Sequence, residues 1–446
     1  MNVVDMFFTH SPPFTDDVDM ARFVPTCFVG FVEQLRDLVF SSTIRKSTTT
    51  GTITLIARRS ARRAGTRQWR RGADLGADVA NFVESEQIVS FDDGSATTEF
   101  SFVQVRGSIP LPWAQTPCLK YKIPITIAAQ KKCEPILAAH AKQLTETYGA
   151  VTAINLANQT GREGKLSAAY ASAAASLPSE TARFRLVPFD FHKQCGATNY
   201  KNLEVLWGDV VDDFRSYGYW TRGTDGSAST QQSGVFRTNC IDTLDRTNVV
   251  QGLLARKALE DMLRRQQVLS SEGDTLASAF PQVEVAFRVM WADHGDEISR
   301  QYAGTGAMKS AFTRTGKRDL AGLMDDGVKS LTRYFLNNFR DGEKQDALDL
   351  VTGNYKIATG LSSPFKPQGS PAFPLLVAVL LIWLAVQNAI SLSATGELGF
   401  GVKTGQQVVL LVAVAVVIVR LMFKFGRHLV NIPNLRNDLA VPWSLS

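Results

Sequence analysis

The order of apolar and polar residues divides the chain into a long stretch of short, alternating segments and a C-terminal part of another kind. Ile53 to Ala57, Val151 to Leu156, Phe184 to Phe191 and Val235 to Thr238 are compact runs of branched, aromatic and apolar residues. Each is too short for a helix and rich enough in such residues to predict a strand. Between them, apolar residues recur at three- and four-residue spacing over Ala138 to Tyr148, Leu203 to Tyr217, Asn248 to Leu259 and Leu320 to Phe339, which predicts helices with one buried stripe. The same spacing over Cys27 to Val39 predicts a helix there too. Strands alternating with helices argue an α/β domain.

The C-terminal part breaks this rhythm. A serine-, proline- and glycine-rich linker (357–372) leads into two apolar runs, Phe373 to Ile390 and Val408 to Phe423. With its flanks, each reaches about 18 to 20 residues, enough to cross a bilayer core. The connecting loop holds one lysine and one glutamate, whereas Arg420, Lys424, Arg427 and Arg436 cluster after it. The positive-inside rule then puts both outer ends in the cytosol and the loop in the lumen. The expected organisation is an N-terminal piece (1–45), a globular domain (46–356), the linker, a two-helix transmembrane hairpin (373–424) and a cytosolic tail (425–446).

Composition narrows the partners. The 446 residues carry a net charge of +6 and a pI near 9.0. That excess suits an anionic membrane or a phosphorylated substrate. No stripe of basic residues alternates with aromatics, so nucleic acid is disfavoured. The five cysteines are odd in number, widely spaced and form no C-x-x-C pair. This fits a reducing compartment and argues against a disulfide frame or a zinc site. No basic stretch followed by an apolar core opens the chain, so no cleaved signal peptide is expected.

The candidate chemistry lies at Ser233 to Gly252, SGVFRTNCIDTLDRTNVVQG. A strand runs into a tight loop and the loop into a helix; Cys240 opens the loop and Arg246 closes it. Backbone N–H groups at a helix N-terminus favour an anion, and the same field lowers a thiol pKa. Cys240 is therefore the expected nucleophile, with a depressed pKa. Arg246 offers a two-pronged fork to phosphate oxygens, with the loop residues Asn239, Ile241, Thr243 and Leu244 as further substrate-binding candidates. Thr247 is placed to assist departure of the sulfur. Asp242, ahead of Asp245, is expected to protonate the leaving alcohol and then activate water. The scheme is a cysteinyl-phosphate intermediate with no metal and no cofactor. Asn239 stands where protein tyrosine phosphatases have histidine, which argues against a phosphotyrosine substrate.

RTNCIDTLDRTNVVQG resembles the signature of the Sac-domain phosphoinositide phosphatases, many of which carry a second cysteine where this chain has Thr243. The resemblance extends to Arg63–Arg67, Arg71-Gly72, Asn81-Phe82, Glu84, Glu86-Gln87 and Arg106–Trp113, and on to Tyr355. It implies a mixed-sheet α/β catalytic domain with a cysteine-dependent phosphatase loop, a truncated N-terminal subdomain and a C-terminal transmembrane hairpin. It further implies a phosphatidylinositol monophosphate substrate, chiefly the 4-phosphate, and an endoplasmic reticulum or Golgi membrane. A weakly catalytic, phosphoinositide-binding membrane-contact protein is the alternative.

Three other features bear on the site. Seven arginines between Arg58 and Arg71 read as a cationic surface for a lipid headgroup. Asp293, Asp296 and Glu297, with His294 departing from the family pattern, read as an acidic cluster around a turn, fit for a metal, a general acid or simple capping. Lys309, Arg314, Lys317 and Arg318 form a basic segment suited to receive phosphate. His192 reads as a satisfied residue at a strand end rather than a site group.

Overall fold

The computed structural model describes residues 27–42, then 47–355 with breaks at 93, 95–96, 121–122, 197–198, 224–227, 271–272, 309 and 316–319, and finally 365, 372–395 and 398–435. Most of the N-terminal piece, nearly all of the linker, the tail beyond 435 and the candidates Lys309, Lys317 and Arg318 lie outside the described residues.

One sheet organises the domain. Its first half is an antiparallel meander of β1 (Cys27–Ser42), β2 (Ser47–Ser60), β3 (Val83–Asp92) and β4 (Thr97–Arg106). A small ribbon, β5 (Trp113–Ala114) with β6 (Thr126–Ile127), stands apart. The second half is parallel: β4 pairs with β11 (Gly234–Asn239), β11 with β7 (Ala150–Asn155), and β7 with β8 (Phe184–Pro188). The short strands β9 (Trp220–Arg222) and β10 (Ala228–Thr230) pair with each other, and β9 also pairs with β4. The sheet is mixed, as expected.

Helices cover both faces of the parallel half. On one face, Leu137 of α1 (Gln130–Tyr148) and Leu166 and Tyr170 of α2 (Gly161–Ala175) pack with Val105, Val151 and Val235. On the other, Leu206 and Val210 of α3 (Leu203–Tyr217) and Leu254 and Leu259 of α4 (Asp245–Arg265) pack with Phe102, Ile154 and Phe236. β11 is buried along its whole length, as a central parallel strand must be. Gly234 opens it because the Tyr217 ring lies across that position; an added Cβ would stand 2.4 Å from the ring. Beyond α4 come α5 (Pro281–Ala303), α6 (Leu320–Phe339) and α7 (Asp341–Val351). The C-terminal α8 (Ala372–Thr395) and α9 (Leu398–Lys424) pack against each other.

Three sequence expectations need correction. Cys27 to Val39 is strand, not helix. The register against β2 slips between Leu35 and Leu38, with Asp37 at φ 55°, so a bulge turned a two-residue alternation into the three-residue spacing that looked helical. The strand at Phe184 ends at Pro188, and His192 sits in a short helix, Phe191–Cys195, capped by Asp190 accepting from the Lys193 N–H. Asp293, Asp296 and Glu297 lie within α5 rather than at a turn. Gly295 between them serves close packing: a Cβ would stand 2.3 Å from Asn248 Nδ2.

Candidate active site

β11 delivers the loop at its C-terminal end, beside the ends of β4 and β7. Such strand ends are where ligands bind in open α/β sheets. Asn239 ends the strand with its side chain spent on the frame: Nδ2 donates to Asn155 Oδ1 (2.8 Å) and Oδ1 accepts from Arg237 (2.9 Å). Thr243 adopts φ 54°, a left-handed conformation costly for a branched residue. Its Oγ1 donates to the Asp242 carbonyl (2.7 Å) and accepts from Asn81 Nδ2 (3.1 Å), and the buried Arg106 donates to its carbonyl (3.4 Å). Leu244 is buried against Ile298 and Tyr302. α4 then begins at Asp245, so Arg246 and Thr247 occupy its first turn, where backbone N–H groups have no partner within the helix.

Cys240 Sγ is fully buried and donates to Asp242 Oδ1 at 3.3 Å. Burial pushes the thiol pKa up and the Asp242 charge adds to it. Arg246, the Thr247 hydroxyl and the Asp242 amide pull the other way without prevailing. The expected depressed thiol is thus not what this arrangement gives, because the sulfur is dry and faces a carboxylate. Burial also works to raise Asp242, but Arg67, Arg71, Arg246 and Arg333 outweigh it and hold that carboxyl below the usual range. Asp245 goes the opposite way: burial, with Asp242 nearby, raises it despite Arg333 and a hydrogen bond from the Met308 N–H (2.8 Å). The two acids thus shift in opposite directions, Asp242 down because four guanidinium groups converge on it and Asp245 up because burial prevails there.

Arg246 stands close enough for its charge to act on the sulfur, and Glu163 grips its fork. Nη1 donates to Glu163 Oε2 (3.0 Å), Asn158 Oδ1 and the Leu156 carbonyl; Nη2 donates to Glu163 Oε1 (3.1 Å). Glu163 lies in the first turn of α2, and nothing in the sequence signal singled it out.

The arginine run is not the open cationic surface expected to meet a lipid headgroup. Arg59, Arg63 and Arg71 are buried, and Arg70 is bound to both oxygens of Asp349 at 2.8 Å. Arg67 bridges Asp242 Oδ2 (3.1 Å) and Asn337 (3.2 Å), while Arg71 donates to the Ile241 carbonyl (2.7 Å). These side chains build the wall of the loop. Arg314 is taken by Asp293 (2.6 Å) and Asp296 (2.7 Å) and makes no described hydrogen bond to the loop. Arg333 of α6, missed in the sequence, reaches Asp245 Oδ2 at 3.7 Å. Among the described residues no three His, Cys, Asp or Glu side chains are grouped to hold a metal ion.

A cysteine, a gripped arginine, the buried Asp242 and the partly buried Asp245 lie around a helix N-terminus, an arrangement that favours an anion. A family model described as the SacI homology domain matches residues 6–196. The phosphoinositide phosphatase SAC8 of Arabidopsis thaliana is 41% identical over 386 residues, 86% of this chain and 63% of that protein. The phosphatidylinositol-3-phosphatase SAC1-A of Danio rerio is 41% identical over 329 residues, 74% of this chain and 55% of that protein. The human phosphatidylinositide phosphatase SAC2 is 38% identical over 301 residues, 68% of this chain and 26% of that protein. This chain therefore spans less than two thirds of the length of the relatives it matches. With the loop, its arginine wall and these similarities together, the chain belongs to the Sac-domain phosphoinositide phosphatase family.

Proposed function

We propose that this protein is a membrane-anchored phosphatase of phosphatidylinositol monophosphates working through a cysteinyl-phosphate intermediate. The observation that supports it most is Cys240 at the end of the central strand, with Asp242, Arg246 and Thr247 acting on its sulfur. For sulfur to attack phosphorus its proton leaves along the hydrogen bond to Asp242, which the surrounding guanidiniums keep ionised but make a weak base, so the proton goes back to sulfur when the S–P bond breaks. The P–O bond to the inositol ring breaks, and Asp245, whose pKa burial raises, is the acid assigned to protonate the departing oxygen. Asp245 then takes a proton from the water that cleaves the S–P bond, and Thr247 eases departure of the sulfur. Arg246 and the amides of the first turn of α4 hold the phosphoryl charge.

The family resemblance favours the 4-phosphate, and the Danio rerio relative, a phosphatidylinositol-3-phosphatase, favours the 3-phosphate. The anchor is read in α8 and α9. Gln406–Lys424 is 19 residues long and apolar enough to cross a membrane, and Leu376–Gln387 is a shorter apolar stretch. The reading places the protein in endoplasmic reticulum or Golgi membrane with the catalytic domain in the cytosol. The test is phosphate release from a panel of short-chain phosphoinositides by the parent and by Cys240→Ser. The expected result is turnover of a monophosphate that this substitution abolishes with the fold intact; a serine variant keeping a substantial fraction of activity sinks the nucleophile. A second reading, a lipid-binding contact protein with little turnover, is favoured by the raised thiol and the gripped Arg246. Binding without release from any member of the panel would select it.

A further inference from the structure

α6 shows two opposite characters around its circumference. One side faces the site: Arg333 donates to Thr305, Ser299 and the Gly306 carbonyl and stands near Asp245; Asn337 receives Arg67; Lys329 donates to the Ala307 carbonyl (3.2 Å) and Ser310 (3.1 Å). The other side carries Leu320, Leu323, Met324, Val328, Leu331 and Phe335, each between 50% and 73% exposed. Their three- and four-residue spacing makes one continuous apolar stripe. A water-soluble surface does not expose such a row without a use for it.

The surroundings identify what covers it. The chain leaving α9 docks at the end of α6. Gly426 lies against Leu119, where an added Cβ would stand 3.0 Å from the Leu119 nitrogen, and Tyr334 of α6 donates to the Leu119 carbonyl (2.7 Å). Five residues further on, the Asn431 N–H donates to the Asn338 carbonyl (2.7 Å), Asn431 Oδ1 accepts from the Glu343 N–H (2.7 Å), and Asp346 accepts from the Asn434 and Leu435 N–H groups (2.9 and 2.8 Å). The end of the apolar α9 and the end of the apolar stripe are thus tied to one edge of the domain. At that join Lys424, Arg427 and His428 are exposed beside Phe425, a basic and aromatic collar of the kind that sits at headgroup level.

We propose that the exposed face of α6 is a bilayer-docking surface: its six apolar side chains enter the headgroup–acyl boundary of the membrane that α9 crosses. The inference rests on the anchor and lipid substrate proposed above and deepens that reading. A helix lying in the interface holds whatever its other side grips at a fixed depth. Here that is Asp245 through Arg333 and Asp242 through Arg67 and Asn337, so the phosphatase loop is presented to headgroups by the same helix that enters the lipid.

The test uses the full chain in vesicles of phosphatidylcholine with anionic phosphatidylserine. A Leu331→Trp variant, compared with the parent, is expected to gain fluorescence that brominated acyl chains quench and aqueous acrylamide does not. Leu323→Glu combined with Leu331→Glu is expected to lower turnover of a bilayer-embedded phosphoinositide by about tenfold or more, while a dibutanoyl substrate is turned over as by the parent, because only local concentration at the surface is lost. Quenching of the added tryptophan by acrylamide would overturn the proposal. So would protection from both quenchers, which would mean that a protein segment or a second copy covers the face, and so would equal losses on both substrates. If the parent turns over neither substrate the phosphatase reading falls, while the quenching result still decides the docking.

Discussion

Glu163→Gln tests how the site arginine is aimed. The four hydrogen bonds from Arg246 occupy Nη1 and one hydrogen of Nη2, leaving Nε–H and the second Nη2 hydrogen as one flat edge for phosphate. Glu163 is in this view a positioning residue: it fixes the plane of the fork without touching substrate. Both side chains are only 12% exposed, so solvent screens the pair little. Glutamine keeps the shape and one acceptor oxygen but loses the charge and sets an NH2 group against the guanidinium. Losing one hydrogen bond between charged partners costs about 1.5–3 kcal/mol. If most of that appears at the transition state, kcat/KM falls roughly 10- to 100-fold, with kcat bearing more of it than KM. The assay is initial-rate phosphate release from a soluble short-chain phosphoinositide, with thermal unfolding as a control for misfolding. A variant as fast as the parent, or faster, would refute the reasoning: Glu163 would then compete with phosphate for the arginine.

Asp341→Asn is expected to raise the unfolding temperature at pH 8 and leave it unchanged near pH 4. Burial pushes the folded Asp341 pKa up to about 7, above the unfolded value of about 3.9. The folded state therefore holds a proton that the unfolded state releases, stability falls as pH rises through that window, and asparagine removes the loss while still accepting from Asn337. A gain that is the same at both pH values would discard this account. Arg67→Gln should lower kcat by roughly tenfold or more, since it removes the cation nearest Asp242 and the link to α6; the acid limb of the pH–rate profile is the readout, and an unmoved profile counts against it. Chelation should leave phosphate release unchanged, checked by dialysis against a chelator followed by assay.

The strand–loop–helix at the site was readable because each part announces itself locally: branched residues, a helix-starting run and chemistry-bearing side chains lie within twenty positions. The buried strands at Ile53 and Val151 were legible for the same reason. What failed depended on distance or on local exceptions. No rule of spacing tells that Arg67 meets Asp242, 175 residues on, or that Arg70 meets Asp349. Without those partners seven arginines look like a cationic surface for a headgroup, whereas three of them are among the buried residues of the domain. The bulge at Asp37 borrowed the signal of another structure. The thiol was misjudged because loop geometry was weighed without desolvation, which only the packed environment fixes.

The sheet changes from antiparallel to parallel at β4, and the loop hangs from the strand next to that seam. Its wall comes from the β2–β3 connection on one side and its arginine grip from the segment after β7 on the other. Neither half of the sheet owns a complete site, so a chain cut between β4 and β7 would yield two inert pieces whose recombination turnover itself would report.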